Sequence, residues 1–225
     1  MSARSHSFTV GDIACMVLLD GANLMGSDGV LRRFPNGTEA EYRQAYADIG
    51  LSLDEAESCF NILVAKIGAE TVLVDTGLAS KPNGGWLPES LRLAGLTPEA
   101  ITLVVITHAH GDHVLGLLAE DGTPAFPNAR YVISKTEMDV WRKRVEENLP
   151  DQRPLIAMLE ARDVRLIDGE AQIVPGLTAL PIPGHTPGQM ALVIESGQER
   201  LFHLADLLHT PMQFAQPGMV AVVRC

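Results

Sequence analysis

Hydrophobic and polar residues follow two recurring patterns along this chain, and each pattern predicts a different kind of element. Short apolar runs bounded by glycine, proline or aspartate predict strands, whereas apolar residues three and four positions apart predict helices. The predicted strands, in chain order, are SFTV, IACMVLL, CFNILVAKIG, ETVLVDTG, ITLVVIT, RYVIS, VRLI, LTALPIP, MALVIE and RLFHLAD. Because strands and helices are mixed throughout, we expect an α/β protein whose sheets are covered by helices.

Helical spacing predicts a smaller set of helices between these strands. The predicted helices are Thr38–Ile49, Leu87–Ala94, Ser134–Glu147 and Leu155–Ala161. Ser134 and Glu137 match a capping box, in which each side chain accepts a hydrogen bond from the backbone of the other residue. A further helix is expected to begin at VLGLLAE. Residues 21–37 hold five glycines or prolines and are predicted to form a loop.

The length and hydropathy of the chain are those of a globular protein. Its 225 residues are 46% hydrophobic and 20% charged, which suits a single domain over residues 1–225. No apolar run approaches the roughly 20 residues of a membrane helix, and the start MSARSHSFTVGD has no apolar leader segment. We therefore expect a cytoplasmic protein without a membrane partner.

Charge and cysteine usage argue against two other classes of protein. The formal net charge is −11, and such a surface repels a phosphate backbone, so nucleic acid is not an expected partner. Cys15, Cys59 and Cys225 are odd in number and far apart, so neither a disulfide framework nor a CxxC metal site is expected. Cys15 and Cys59 lie in apolar runs and are predicted to be buried thiols.

The residues that point to chemistry are concentrated in HAHGDH, directly after the predicted strand ITLVVIT. His108 and His110 are alternate residues, so they can face one metal ion from the same side. Asp112 and His113 continue around the turn and can face a second ion, and Gly111 is expected to allow a sharp turn. Imidazole and carboxylate donors suit Zn²⁺, with iron and manganese as alternatives. The competing interpretation is a polar helix N-terminus capped by Asp112.

Three further polar residues also stand where apolar strands end. Asp75 ends VLVD, His185 lies in the loop PGHTPG after LTALPIP, and Asp206 ends RLFHLAD. Each residue alone is more typical of a turn or a helix cap. Because all of them follow strands, we expect them to meet the histidine cluster at one shared edge.

Together these motifs resemble the metallo-β-lactamase-fold hydrolases. HAHGDH, GHTPG, a strand-terminal aspartate and the preceding LVDTG agree with that family in order and spacing, over nearly the whole chain. The stretches LLDG, FPNARYVISKTEMDVW and ADLLHTPMQF are similar to the branch that contains N-acyl-homoserine-lactone lactonases and methyl-parathion-hydrolase-like enzymes.

The resemblance implies an αββα sandwich with a dinuclear metal site at one sheet edge. The implied cofactors are two divalent ions, zinc in the first place, with iron, manganese and cobalt as alternatives. The implied ligands of the first ion are His108, His110 and His185. The implied ligands of the second ion are Asp112 and His113, and Asp206 would bridge the two ions.

The same resemblance implies a chemistry and roles for the remaining residues. The family uses a metal-bound hydroxide, and the substrate here would be a small-molecule lactone, ester or phosphoester. Asp112 or Asp206 would act as the catalytic proton relay to the leaving alkoxide. Asp75 would orient a ligand through hydrogen bonds, and His209 would line the pocket.

The chain departs from the family pattern after Asp206. The family's second metal usually has one more histidine on a later loop, but only 19 residues follow Asp206 here. We therefore expect a fold that is incomplete at its C-terminal end, lacks the usual final strand and helix, and represents a truncated or naturally short form. An uncovered apolar face would favour a homo-oligomer.

Two other functions stay open at this point. A glyoxalase II-like thioesterase carries the same motifs. A catalytically impaired metal-binding or assembly protein would explain the absent last histidine.

Overall fold

Two compact units make up the protein. The computed structural model describes residues 4–80, 83–162, 164–219 and 221. The first unit is formed by the segment up to Gly21 together with Phe60–Ala205. The second unit is formed by Ala22–Cys59 together with the segment from Asp206 onward.

A large mixed sheet is the centre of the first unit. In the described residues its strands are β1 (Ser5–Val10), β2 (Ile13–Leu24), β3 (Glu57–Ile67), β4 (Glu70–Val74), β5 (Leu103–Ile106), β6 (Arg130–Ser134) and β7 (Arg165–Ile167). They lie side by side in chain order. The β3–β4 pair is antiparallel and turns at Gly68, which has a φ of +59°, whereas β4, β5, β6 and β7 run parallel. The carboxyl ends of β4 and β5 therefore meet at one edge.

A smaller antiparallel sheet packs on one face of the large sheet. Within the described ranges its strands are β8 (Ala171–Val174), β9 (Leu177–Pro181), β10 (Met190–Ser196) and β11 (Glu199–His203), in the order β11-β10-β9-β8. One buried cluster holds Val72 and Val105 from the large sheet together with Leu177, Leu192 and Ile194 from the small one. The two sheets therefore share a core, as in a sandwich.

Helices of the first unit cover the other face of the large sheet. The described part of the chain contains α1 (Gly26–Arg33), α2 (Glu39–Asp48), α3 (Leu87–Leu93), α4 (Gly111–Val114), α5 (Lys135–Glu147), α6 (Arg153–Ala161) and α7 (Met212–Ala215). Leu91, Trp141 and Leu159 come from α3, α5 and α6 and share a buried cluster with Val104 and Ile106 of β5. None of the helices in the described ranges is long and apolar enough to cross a bilayer.

The strand β5 shows why the sequence has no alternation at this point. Leu103 and Val105 belong to the cluster between the sheets, whereas Val104 and Ile106 belong to the cluster under the helices. All four side chains are buried. A strand covered on both faces reads as a continuous apolar run, as predicted.

The second unit has its own small core. Val30, Phe34, Tyr42, Tyr46 and Met212 share a buried cluster that joins α1, α2 and α7. The helix predicted over Thr38–Ile49 is α2, and Thr38 is its N-cap: the Thr38 side chain accepts from the Glu41 backbone, and the Glu41 side chain accepts from the Thr38 backbone.

Several predictions for the first sixty residues were wrong. Residues 21–37 are not a loop throughout, because they contain α1, whose Val30 is buried in the apolar cluster. The strand β2 does not end at Asp20 but continues to Leu24. Cys15 is a buried thiol as predicted, whereas Cys59 is exposed; Cys225 lies outside the described residues.

Candidate metal centre

The histidine cluster begins where β5 ends, beside the end of β4. The backbone N–H of Asp75 donates to the carbonyl of Val105 at 2.9 Å, which aligns the two strand ends. Thr107 and His108 then follow β5, and both are fully buried. Asp75 and His108 therefore lie at the same edge of the large sheet, as predicted.

The loop between β9 and β10 brings His185 to the same edge. The backbone N–H of Met190 donates to the carbonyl of Thr107 at 3.0 Å, so the small sheet is hydrogen-bonded directly to the end of β5. Inside the loop, the backbone N–H of Ile182 donates to the Gln189 carbonyl, and the backbone N–H of Gly184 donates to the Thr186 carbonyl. These bonds hold the shape of the loop that carries His185.

Three imidazoles converge as a result. The Nε2 atom of His108 lies 3.1 Å from Nδ1 of His110, and that Nδ1 lies 2.8 Å from Nε2 of His185. The ring planes are nearly perpendicular to one another, with interplanar angles of 83–87°. One ligand atom from each ring lies within 4.8 Å of the other two, and the group could hold a metal ion.

The donor set fits a cation better than it fits hydrogen bonds among the rings. The Nδ1 atom of His110 carries either one proton or one lone pair, yet it faces two other ring nitrogens. A metal ion accepts all three lone pairs at once. With Zn–N bonds of about 2.0–2.1 Å, tetrahedral ligand nitrogens lie about 3.3 Å apart, which is close to the separations of 2.8 and 3.1 Å found here.

Asp75 determines which nitrogen of His108 is available as a ligand. The Thr107 hydroxyl has one proton, and it donates that proton to Oδ2 of Asp75 at 2.7 Å. The Thr107 oxygen can therefore only accept from Nδ1 of His108, which lies 3.2 Å away. With the proton on Nδ1, the lone pair of His108 is on Nε2, which faces the other two histidines.

Asp75 acts on His113 in the same way. Its Oδ2 atom lies 2.8 Å from Nδ1 of His113, which places the proton on Nδ1 and the lone pair on Nε2. The backbone N–H and hydroxyl of Thr76 both donate to the carbonyl of His113. Asp75 also accepts from the Thr107 backbone N–H at 2.7 Å. Its own backbone is in the left-handed region, at a φ of +64°, which is typical of functional sites.

Asp112 and His113 lie on the short helix α4, and not in an irregular turn. The helix predicted to begin at Val114 instead begins at Gly111 and ends at Val114, and only a 3-10 turn, Leu115–Leu117, follows it. Gly111 is not in the left-handed region, and a Cβ there would meet only the Leu115 side chain at 3.3 Å. The prediction that Gly111 is needed for a sharp turn is wrong. Asp112 Oδ2 lies 3.7 Å from Nε2 of His113.

Asp206 and His209 belong to the second unit. Asp206 Oδ2 lies 3.6 Å from Nε2 of His209. The preceding residue, Ala205, has a φ of +47°, so the chain turns sharply just after β11. The bridging role of Asp206 and the pocket role of His209 stay predictions.

A second buried aspartate stabilises the chain that follows Asp75. Asp20 accepts from the backbone N–H of Leu78 at 2.8 Å and of Leu87 at 2.9 Å. Burial raises the pKa of Asp20, the backbone hydrogen bonds oppose that shift, and the charge of Asp112 adds to it. A Cβ on Gly77 would lie 2.5 Å from the Asp20 carboxylate, so glycine permits this close approach.

Comparison with known proteins agrees with the motifs and the fold. Residues 55–218 match the family model described as the metallo-beta-lactamase superfamily. The chain belongs to the metallo-beta-lactamase superfamily. Its mixed arrangement of sheets and helices matches that fold, which confirms the predicted fold class.

Individual relatives fall mainly in the lactonase branch. An N-acyl homoserine lactonase from Bacillus cereus is 30% identical over 125 residues, which cover 55% of this chain and 45% of the relative. The match thus spans less than half the length of that curated relative. The solved structure of AidC, a dizinc quorum-quenching lactonase in complex with the product N-hexnoyl-L-homoserine, has a TM-score of 0.83 and is 26% identical, covering 96% of this chain and 80% of AidC.

A second solved structure supports the fold alone. The hydrolase AbOPH of the beta lactamase superfamily has a TM-score of 0.83 and is 23% identical, covering 99% of this chain and 80% of AbOPH. The assignment of the metallo-beta-lactamase fold to this chain therefore rests on more than one solved structure.

Proposed function

We propose that this protein is a metal-dependent hydrolase that opens a lactone or cleaves a related ester. The observation that carries the proposal is the convergence of three imidazole nitrogens from His108, His110 and His185. Asp75 supports it, because its hydrogen bonds fix the tautomer that leaves Nε2 of His108 free of a proton.

The geometry and the family pattern together support the proposed ligand set. His108, His110 and His185 would hold a first ion, and Asp112 and His113 would hold a second. By the family pattern alone, Asp206 would bridge the ions. Zinc is the preferred metal for such nitrogen donors, with iron, manganese and cobalt as alternatives.

The bound ions would supply Lewis acidity, which activates water and polarises the reacting oxygen of the substrate. Residues of the chain itself would transfer the proton. Asp112 or Asp206 would pass a proton to the leaving alkoxide, because a carboxylate beside the reacting atoms can accept and return one. His209 would contact the substrate in the pocket. No serine or cysteine nucleophile is required.

The relatives favour a lactone over the other substrates of the superfamily. Both the N-acyl homoserine lactonase of Bacillus cereus and the dizinc lactonase AidC are named as enzymes that act on lactones. A lactone is an internal ester, so its hydrolysis yields a hydroxy acid and releases one proton. We expect a cytoplasmic location and a small-molecule substrate, with self-association of the chain.

A substrate panel tests this proposal. The zinc-loaded chain is assayed on an N-acyl homoserine lactone, an aryl ester, an aryl phosphotriester and S-lactoylglutathione, with proton release followed by a pH indicator for the lactone. We expect the highest kcat/KM on the lactone and loss of turnover to background after treatment with EDTA. Preference for S-lactoylglutathione would instead indicate a thioesterase. Bound metal without turnover on any substrate would indicate a metal-binding protein.

A further inference from the structure

Glu137 has a buried carboxylate and is not one of the predicted metal ligands. It is the third residue of α5, and its exposed fraction is 0%. Its backbone N–H donates to the Ser134 side chain at 3.3 Å, which is one half of the predicted capping box. Its own side chain does not complete that box. A buried carboxylate is costly unless it is well hydrogen-bonded, so its partners must lie elsewhere.

The partners of Glu137 are the two segments that carry the three convergent histidines. Oε1 accepts from the backbone N–H of Ala109 at 2.9 Å. Ala109 lies between His108 and His110. Oε2 accepts from the Thr186 hydroxyl at 2.6 Å and from the Gly188 backbone N–H at 3.0 Å. One carboxylate therefore joins the end of β5 to the loop that holds His185.

The close contact between this loop and α5 depends on glycine. A Cβ on Gly188 would lie 2.2 Å from the backbone nitrogen of Glu137 and 2.6 Å from its Cα. These atoms are backbone and cannot move aside like a flexible side chain. The loop therefore packs directly against the first turn of α5, independently of the hydrogen bonds to the Glu137 carboxylate.

We propose that Glu137 is a positioning residue that sets the separation between His185 and the His108–His110 pair for metal binding. Both oxygens of Glu137 must be acceptors, because each faces at least one donor. A glutamine supplies only one acceptor oxygen. Its amide nitrogen would face a backbone N–H of either Ala109 or Gly188, so one of the two segments would be released.

The experiment measures metal binding and does not depend on turnover. Glu137→Gln is compared with Glu146→Gln, an exposed glutamate on the same helix. Zinc affinity is measured by competition with a chromophoric chelator, and the cobalt-loaded form is examined by its visible absorption. We expect Glu137→Gln to weaken zinc binding about 10–100-fold, the usual effect of removing a supporting partner of ligands, and to change the cobalt spectrum. Glu146→Gln should match the original chain.

A second pair of variants covers the case in which Glu137→Gln does not fold. Thr186→Val removes one hydrogen bond to Glu137, whereas Thr186→Ser keeps the hydroxyl. We expect weaker zinc binding and an altered cobalt spectrum for Thr186→Val. Thr186→Ser should keep the zinc affinity and the cobalt spectrum of the original chain. Unchanged affinity and spectrum in folded Glu137→Gln, or in Thr186→Val, would overturn the proposal even if the thermal unfolding temperature fell.

This role of Glu137 rests on the proposed function in one respect only, namely that the chain binds a metal ion. If the chain binds zinc but hydrolyses nothing, the proposed function fails while the affinity comparison still decides the role of Glu137. If the chain is an active zinc hydrolase and Glu137→Gln binds zinc normally, the role of Glu137 fails and the proposed function stands.

Discussion

Replacing His185 by alanine is expected to remove the first metal ion and to reduce hydrolysis to background. The variant deletes one of three converging ring nitrogens and leaves the His108–His110 pair to bind alone. We expect a larger loss than the roughly 10–100-fold typical for a residue that only supports a ligand. Metal content by elemental analysis and kcat/KM on the lactone measure the effect.

His6→Ala is the matched control for this variant. His6 is an exposed histidine of β1 and stacks on Phe8 at a ring-centroid distance of 6.2 Å. Its loss should change neither metal content nor turnover. If His185→Ala kept the full metal content and activity, the three-histidine centre would not be the metal site of this protein.

Replacing Asp75 by asparagine is expected to weaken metal binding and turnover about 10–100-fold without changing the size of the side chain. When its oxygen accepts from the Thr107 backbone, the new amide group faces the Thr107 hydroxyl and the His113 ring. The amide donates where the carboxylate accepted. The Thr107 hydroxyl then donates to Nδ1 of His108, and the proton of that ring moves to Nε2.

The variant therefore places a proton on the nitrogen that would bind the metal. Zinc affinity by chelator competition and kcat on the lactone should both fall. Asp168→Asn makes the same change in charge at an exposed position after β7 and should leave both unaffected. Normal zinc affinity in Asp75→Asn would show that Asp75 does not select the tautomers of His108 and His113.

The edge of the sheets was predictable because its signals are local. HAHGDH follows a run of β-branched residues, and Asp75 follows another, so two neighbouring parallel strands had to end together. The loop with His185 was harder to place from spacing alone. Its position depends on the hydrogen bond between Met190, in the small sheet, and Thr107, which directly follows β5 of the large sheet. Family resemblance supplied that long-range link, and the roles of the ligands remain predictions.

Glu137 could not be found in the same way. Its position three residues after Ser134 has a sufficient local explanation as a capping box. Its actual partners, Ala109, Thr186 and Gly188, lie 28, 49 and 51 residues away. No periodicity or composition reports contacts at such separations. The signal that could have indicated them is the glycine at 188, since glycine often marks a close approach of two backbones.

The predictions for residues 20–37 were wrong because the local sequence signals there were misleading. Glycines and a proline between residues 21 and 37 suggested a loop, but tertiary packing outweighs such local preferences. Val30 of α1 and Phe34 after it are fully buried in the core of the second unit. Likewise, Asp20 looked like the end of β2, yet its carboxylate accepts two backbone hydrogen bonds inside the protein. These buried partners satisfy the Asp20 carboxylate, and β2 continues past it to Leu24.

The most direct test of the proposed metal-dependent hydrolysis is a zinc titration of the metal-free chain, with the hydrolysis of an N-acyl homoserine lactone measured at each step. We expect no turnover without metal, activity that rises with zinc added, and two ions bound per chain at saturation. Turnover that persists in the fully metal-free chain, or two bound zinc ions with no lactone hydrolysis, would contradict this proposal.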